Sequence, residues 1–208
     1  MSDPRRFARS ADVGQRGFTL LEALIAMTIM AIVTALAVPS FSALLSERRV
    51  SSSAQAYAAA LRKAQVEASA RNRTVEVLFT AADPTPATVT TASAAAAASS
   101  RRWMVRQQAP TGVTDFIEGF SLADQMPTVS IEAAPTAVGF TPLGRPVDLS
   151  AGAATPLAAM MVVRFTDTAT ARRVCTYLTT GGAVRVCDPT KSSGHGSACQ
   201  PQLAAGDC

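Results

Sequence analysis

A run of 24 residues from Phe18 to Phe41 carries one charged side chain, Glu22, and is otherwise mostly apolar. At about 1.5 Å per residue, a helix of this length is roughly 36 Å long, which is enough to cross the hydrocarbon core of a bilayer. If the helix continues from Phe18 to about Arg71 it is roughly 80 Å long, and no globular domain of this size buries such a helix. The positive-inside rule predicts that the preceding basic stretch stays in the cytoplasm and that the following chain lies outside it. That stretch contains Arg5, Arg6, Arg9 and Arg16.

The apolar run opens with the sequence Gly17-Phe-Thr-Leu-Leu-Glu22. A small residue, then Phe, then a carboxylate four positions later resembles the signal of type IV prepilins and pseudopilins. This resemblance implies that prepilin peptidase cuts between Gly17 and Phe18 and methylates the new amine of Phe18. It also implies a cleaved leader over 1–17 and a transmembrane or filament-core helix over 18–41. An ordinary single-pass membrane anchor is the alternative.

Glu22 is expected to be the assembly charge. A carboxylate within a membrane helix costs about 2.5–3.5 kcal/mol on insertion scales, so such residues usually have a function. Cleavage would create an amine on Phe18, one helical turn away, and in staggered helices Glu22 could neutralise the amine of a neighbour. The resemblance implies the same pairing. Pro39 removes one backbone donor and predicts a kink in the helix.

An amphipathic continuation of the helix is predicted over residues 42–72. Apolar residues recur at spacings of four and three, whereas Arg62, Lys63 and Glu67 lie off this stripe. We therefore expect the stripe to pack against a β domain and the helix to end near Asn72 or Arg73. The stripe contains Val50, Ala54, Tyr57, Leu61, Ala64 and Ala68.

Residues 73–208 have the pattern of a β-rich domain, because apolar positions alternate and Pro and Gly separate the runs. The predicted fold is α+β, a long N-terminal helix packed on a C-terminal antiparallel β-sheet domain, with two sheets. Residues 81–100 are mostly Ala, Thr, Ser and Pro, and we expect a loop or partly disordered insertion. Strands are predicted at Val75–Phe79, Trp103–Arg106, Val113–Ile117, Val129–Glu132, Val138–Thr141, Met160–Phe165, Val174–Thr179 and Val184–Cys187.

Three stretches resemble the C-terminal half of the GspH/FimT family: Val138–Arg145, Val162–Phe165 and Arg173–Cys187. This family comprises minor pseudopilins of type II secretion and minor pilins of type IV pili. The resemblance implies that the chain is periplasmic beyond its inner-membrane helix and later enters a filament. Its implied partners are other pilins or pseudopilins, prepilin peptidase and an inner-membrane assembly platform. A minor pilin that enters or primes a type IV pilus is the leading interpretation, and a type II secretion pseudopilin is the alternative.

The four cysteines, Cys175, Cys187, Cys199 and Cys208, lie within the last 34 residues. An even number in an exported chain predicts two disulfides. A three-residue loop after Thr179 would place Cys175 opposite Cys187, whereas a two-residue loop would put them on opposite faces. We expect Cys175–Cys187, with Cys199–Cys208 closing the tail as the resemblance to pilins implies. The spacings of these cysteines with His195 match no common zinc pattern, so no metal site is predicted.

Basic residues near this hairpin are candidates for phosphate contacts with double-stranded DNA. Some FimT-like minor pilins bind DNA through a Gly-Arg-x-Arg motif here, but this chain reads Gly182-Ala183-Val184-Arg185, with one of the two arginines missing. The formal charge of +4 falls to +2 without residues 1–17, which hold four Arg and two Asp, so charge is a weak argument for nucleic acid. The alternative is an ordinary solvated surface. The candidates are Arg172, Arg173, Arg185 and Lys191.

Catalysis is not predicted. The only histidine, His195, lies in a Ser- and Gly-rich loop without a visible third partner for a Ser/His pair. Trp103, beside Arg101 and Arg102, could stack on a base, but its place at a strand start favours a core position. The sequence therefore indicates a filament subunit without an enzymatic site or cofactor.

Overall fold

A computed structural model of the chain describes residues 18–95, 100–109, 112–200 and 208. The predicted leader, including Gly17 of the cleavage site, lies outside these residues. The chain divides into two compact units, Met1–Ser42 and Ala43–Cys208.

Helix α1, Leu20–Arg71, contributes to both units. Thr19 caps its start, because its Oγ1 accepts a hydrogen bond from the backbone N of Glu22 at 3.2 Å. At the other end Asn72 adopts a positive φ of 51°, and the N of Arg73 donates to the O of Ala68 at 3.2 Å. This left-handed cap ends the helix where the sequence predicted.

The described part of the second unit contains ten strands in two antiparallel sheets, which confirms the predicted fold class. Sheet A has the order β3-β2-β1-β5-β6-β7, and sheet B has the order β10-β9-β8-β4. Two strands, β6 and β7, were not predicted because they have three and two residues. The strands are β1 Val75–Phe79, β2 Arg102–Ala109, β3 Gly112–Ser121, β4 Val129–Ala134, β5 Ala137–Phe140, β6 Pro146–Asp148, β7 Thr155–Pro156, β8 Met161–Asp167, β9 Arg173–Leu178 and β10 Val184–Cys187.

The main core lies between α1 and the inner faces of both sheets. Every residue of the predicted helical stripe is buried in it, from Val50 to Ala68. Tyr57 stands at the junction: its ring stacks on Phe79 of β1 at 5.1 Å, meets Trp103 of β2 edge-on at 5.4 Å and lies 6.1 Å from Phe165 of β8. Burial raises the pKa of the Tyr57 phenol far above its usual range. The amphipathic half of the helix is therefore structural, and Trp103 is a core residue, as predicted.

Of the insertion, residues 81–100, the structure describes 81–95 and Ser100, and residues 81–95 are held against sheet A. Arg106 of β2 is buried and donates from Nη1 to the carbonyl oxygens of Val89 and Ala92, each at 2.7 Å. Its Nε pairs with the buried carboxylate of Glu76 on β1. A β-carbon at Gly119 would stand 2.1 Å from the carbonyl oxygen of Pro84, so the segment lies directly against β3.

Candidate functional site

Apolar side chains are exposed along the described part of the first unit. Their exposed fractions run from 49% at Ile25 to 84% at Leu20, and α1 is long and apolar enough to cross a membrane. No described residue outside this segment covers this surface, and its exposure is consistent with contact to lipid or to other subunits. The residues are Phe18, Leu20, Leu21, Leu24, Ile25, Met27, Ile29, Met30, Ile32, Val33, Leu36 and Phe41.

The hydroxyl groups of Thr28 and Thr34 in this apolar segment donate to the helix backbone. The Oγ1 of Thr28 donates to the carbonyl oxygen of Ile25 at 2.8 Å, and that of Thr34 donates to Met30 at 2.6 Å. Such bonds let a polar side chain face an apolar environment without an unsatisfied donor. Glu22 is different, because its carboxylate is exposed and has no cationic partner in the described parts of the chain.

Pro39 lies within α1, which continues through this position. The structure gives no side-chain detail for residues 37–40, and the kink at Pro39 stays a prediction. Phe18 begins the described residues and is 81% exposed.

The four cysteines form two disulfides, but the expected pairing is wrong. Cys175 bonds Cys208 with a Cα–Cα distance of 5.9 Å, and Cys187 bonds Cys199 with 4.8 Å. Both distances lie in the usual range for disulfides. The three-residue loop was the correct alternative, since Cys175 does lie opposite Cys187 in the register of β9 and β10.

The path of the tail explains why these facing cysteines do not bond each other. Side chains of facing residues leave a sheet roughly parallel to one another. The chain after β10 turns back through a bridge between Asp188 and Ala198, which brings Cys199 beside Cys187. The hydroxyl of Tyr177 also donates to the carbonyl oxygen of Gln200 at 2.6 Å. The tail thus covers the outer face of sheet B, and each sulfur meets a tail cysteine.

These sulfur atoms are close enough to suggest a metal site, since those of Cys187, Cys199 and Cys208 lie within 4.8 Å of one another. All three belong to disulfides, and zinc requires thiolates. His195 does not join them: its Nδ1 lies 2.8 Å from the Oγ of Ser197 and accepts from the backbone N of that residue. This contact shapes the tail loop.

Arg172, one of the four predicted DNA contacts, is occupied within the chain. Its Nη2 pairs with Glu47 of α1 at 3.2 Å and with Asp188, and its Nη1 donates to Thr190 at 2.7 Å. Burial raises the pKa of Asp188. The hydrogen bonds from Thr190 and the charge of Arg172 together lower this pKa by more than burial raises it, so the net shift is downward. Asp188 therefore stays ionised, and Arg172 joins the helix to sheet B.

Lys191 lines the same cleft as Arg172, but Arg173 and Arg185 do not. Arg173 and Arg185 lie on strands β9 and β10, and Arg185 pairs in register with Tyr177 on the outer face of sheet B. Lys191 belongs to the tail loop beside α1. The predicted basic cluster is therefore divided, with Arg185 as its most exposed arginine.

Comparison with protein-family models shows the family to which the chain belongs. A model described as type II transport protein GspH matches residues 53–182, and a model of the prokaryotic N-terminal methylation motif matches residues 13–38. The chain belongs to the GspH family. The GspH match covers α1 from Ser53 through both sheets to the β9–β10 loop. This family consists of structural pilins and pseudopilins, not enzymes, and membership implies assembly with other subunits and processing by prepilin peptidase.

Solved structures similar to this GspH-family chain include a bacterial minor pilin and a bacterial minor pseudopilin. The type IV minor pilin FimU of Pseudomonas aeruginosa is 12% identical over 70% of this chain and 90% of its own, with a TM-score of 0.46. The minor pseudopilin EpsH from the type 2 secretion system of Vibrio cholerae is 14% identical over 69% and 99%, with a TM-score of 0.42. A search of curated protein sequences gave no match.

Two features of this GspH-family chain escaped the sequence analysis. Thr19 and Glu22 have the spacing of a helix capping box, so Glu22 also suits the positive end of the helix dipole. The Thr-x-x-Glu pattern at residues 19–22 could have predicted this helix start from the sequence. The ion pairs of Arg172 had no such signal, because Glu47 precedes it by 125 residues.

Proposed function

We propose that this chain is a minor pilin, held in the bacterial inner membrane by residues 18–41 and then incorporated into a type IV pilus through the same segment. The supporting observation is the burial pattern of α1. Its apolar side chains are exposed from Phe18 to Leu36, whereas the stripe that begins at Val50 is buried in the chain's own core. The periplasmic side is proposed for residues 43–208 because the basic residues precede the helix.

Glu22 is the proposed assembly charge. An exposed carboxylate with no cation beside it among the described residues is costly in an apolar environment. After cleavage, the amine of Phe18 on a neighbouring subunit would supply the missing positive charge. This pairing would fix the axial offset between neighbouring helices, which apolar contacts alone specify weakly.

The test is incorporation of Glu22→Gln and Glu22→Ala into sheared surface filaments, measured by immunoblot against the membrane-bound amount. We expect at least about a tenfold loss in filaments with equal membrane levels, because one lost charge pair of about 1.4 kcal/mol is already tenfold. Glu67→Gln, on the same helix but within the second unit, is the matched control and should assemble normally. Equal incorporation of the Glu22 variants would contradict the proposed role.

Processing is tested separately by mass spectrometry of the membrane-extracted protein. We expect a mature chain that begins with methylated Phe18. A chain that keeps Met1, or that begins elsewhere, would remove the basis for pairing Glu22 with a neighbouring amine.

A minor pseudopilin of type II secretion is the second candidate, and the description of the matching family model supports it. Membrane anchorage and assembly through the apolar helix would be the same in a type IV pilus and in a type II secretion system. Deletion of the gene separates them: a pilin mutant loses surface filaments and keeps protein secretion, whereas a pseudopilin mutant shows the reverse.

DNA binding is a further candidate for the pilus, and exposed Arg185 is its main support. The ion pairs of Arg172 count against a four-residue site. A gel shift with the full chain in neutral detergent would test this, with Arg185→Ala as the variant and Arg145→Ala as the control. If DNA is bound through phosphates, the shift should weaken steeply with salt and with the Arg185 variant alone. No shift at low salt would exclude this activity.

A further inference from the structure

A cleft of about 430 Å³ opens between residues 44–55 of α1 and the β10 edge of sheet B, and all of its walls belong to the second unit. Leu44, Val174 and Val186 form its apolar part. The tail loop closes one side with Lys191 and His195. The cleft therefore combines an apolar floor with a charged rim.

The basic residues on this rim differ in whether they already form ion pairs within the chain. Arg172 pairs with Glu47 and Asp188, the two acidic residues of the cleft, and these three side chains together carry one net negative charge. Arg48 and Lys191 remain, and neither has an ion pair within residues 18–95, 100–109, 112–200 and 208. With three basic and two acidic side chains, the lining of the cleft has a net charge of +1, and Arg48 and Lys191 are its cations without an ion pair among the described residues.

Polar donors complement these cations. Ser51 and Gln55 lie on the helix wall at the spacing of one turn, and the Nε2 of Gln55 donates a hydrogen bond to the Oγ of Ser51 at 3.1 Å. The backbone N of Ser197 donates to His195 Nδ1, which leaves Nε2 as the ring nitrogen that can donate to a ligand. Cations, hydroxyl and N–H donors together fit a phosphate group rather than a second cation or an apolar ligand.

The apolar part of the cleft indicates the source of the phosphate. Leu44 lines it and is 49% exposed, and the next residue, Leu45, is 37% exposed. Leu44 follows Phe41, the last residue of the proposed membrane segment, by only three positions along α1. Lipid headgroups are thus the first phosphates that this part of the helix meets.

We propose that the cleft binds the headgroup of an anionic phospholipid, with Arg48 and Lys191 on the phosphate and Leu44 against the glycerol and first methylenes. This inference rests on the membrane anchorage in the proposed function. A bound lipid would steady the second unit at the membrane surface before assembly. It would be released when the subunit leaves the bilayer.

The experiment measures lipid retention by the full chain in neutral detergent, using native mass spectrometry with an equal mixture of phosphatidylglycerol and phosphatidylcholine. Each basic residue near an anionic surface contributes about fivefold in affinity. We therefore expect one retained phosphatidylglycerol, preferred roughly 25-fold, and a loss of about fivefold in Arg48→Ala or Lys191→Ala. The double variant should show no preference. Arg145→Ala, an exposed arginine outside the cleft, is the matched control.

Several outcomes would overturn the proposal. Equal retention of both lipids, or a preference that persists in the double variant, would show that the cleft does not select the headgroup. Displacement of phosphatidylglycerol by equimolar inorganic phosphate would indicate a soluble anion site, and displacement by an acidic peptide would indicate a protein partner. Flotation with neutral vesicles separates the two proposals. A chain that does not float refutes membrane anchorage as well, whereas a chain that floats without a lipid preference refutes the cleft alone.

Discussion

Replacing Arg106 with methionine would remove the cation that holds residues 81–95 against sheet A. Its partner, Glu76, is 2% exposed and would keep only the amide of Gln108 as a side-chain donor. Removing one member of a buried ion pair costs about 3–5 kcal/mol, because the remaining charge stays desolvated. The carbonyl oxygens of Val89 and Ala92 would also lose their donor, but they can regain water as the segment detaches. We expect a loss of about 3–5 kcal/mol in the free energy of unfolding.

Urea unfolding of the full chain in detergent measures this loss, with the fluorescence of Trp103, the single tryptophan, as the probe of the core. Elastase, which cuts after small residues, reports separately on release of the alanine-rich insertion. The double variant Arg106→Met/Glu76→Met removes both charges and should recover most of the stability, because a well-packed apolar pair can replace a buried ion pair.

Arg164→Met is the control, because this arginine also pairs across strands, with a Glu132 side chain that is 60% exposed. An exposed pair contributes about 0–1 kcal/mol. The reasoning is wrong if Arg106→Met costs no more than this control. It is also wrong if the double variant is as unstable as Arg106→Met alone.

Three further predictions concern the same domain. Peptide mapping of unreduced protein after trypsin and Asp-N should link each hairpin cysteine to the tail, and a peptide that links Cys175 to Cys187 would contradict the structure. Burial raises the pKa of Asp167, but hydrogen bonds to its carboxylate, led by those from two backbone N–H groups of the following turn, lower it overall. Its contribution to stability is therefore present above about pH 4 and lost as pH falls through the depressed value. The thermal midpoint should fall below pH 4, and less steeply in Asp167→Asn; equal slopes would exclude this group as a cause. Tyr57→Ala should cost about 3–5 kcal/mol in urea unfolding, against a much smaller loss in Tyr57→Phe, because only the former leaves a cavity among three aromatic rings.

Most of the fold was readable from the sequence because its signals are local. The stripe from Val50 to Ala68 follows the helical period, and strands such as Val75–Phe79 follow a period of two between turn residues. Each signal needs only the residues within one element. The shortest strands escaped, because two or three residues carry no period.

Contacts between distant parts of the chain were not readable from the sequence. The disulfide pairing depends on where the tail runs after β10, and the local geometry of Cys175 and Cys187 carries no information about that path. Arg106 looks like a surface residue of a strand until the insertion covers it. Arg172 looks available for phosphate until Glu47 on the helix meets it. Such pairings are fixed by tertiary packing, which a single sequence does not display.

The burial pattern of α1 divides the helix by where a substitution takes effect. Between Leu20 and Leu36, a substituted side chain contacts little within the chain itself. Protein yield and folding should therefore tolerate the substitution, whereas packing against neighbouring subunits should not. Between Val50 and Ala68 the effect is reversed: a substitution there destabilises the fold, so the protein is lost before it can assemble with other subunits. A saturation library scored for protein abundance and for polymer yield would thus produce two complementary maps along α1, which separate misfolding from misassembly by position.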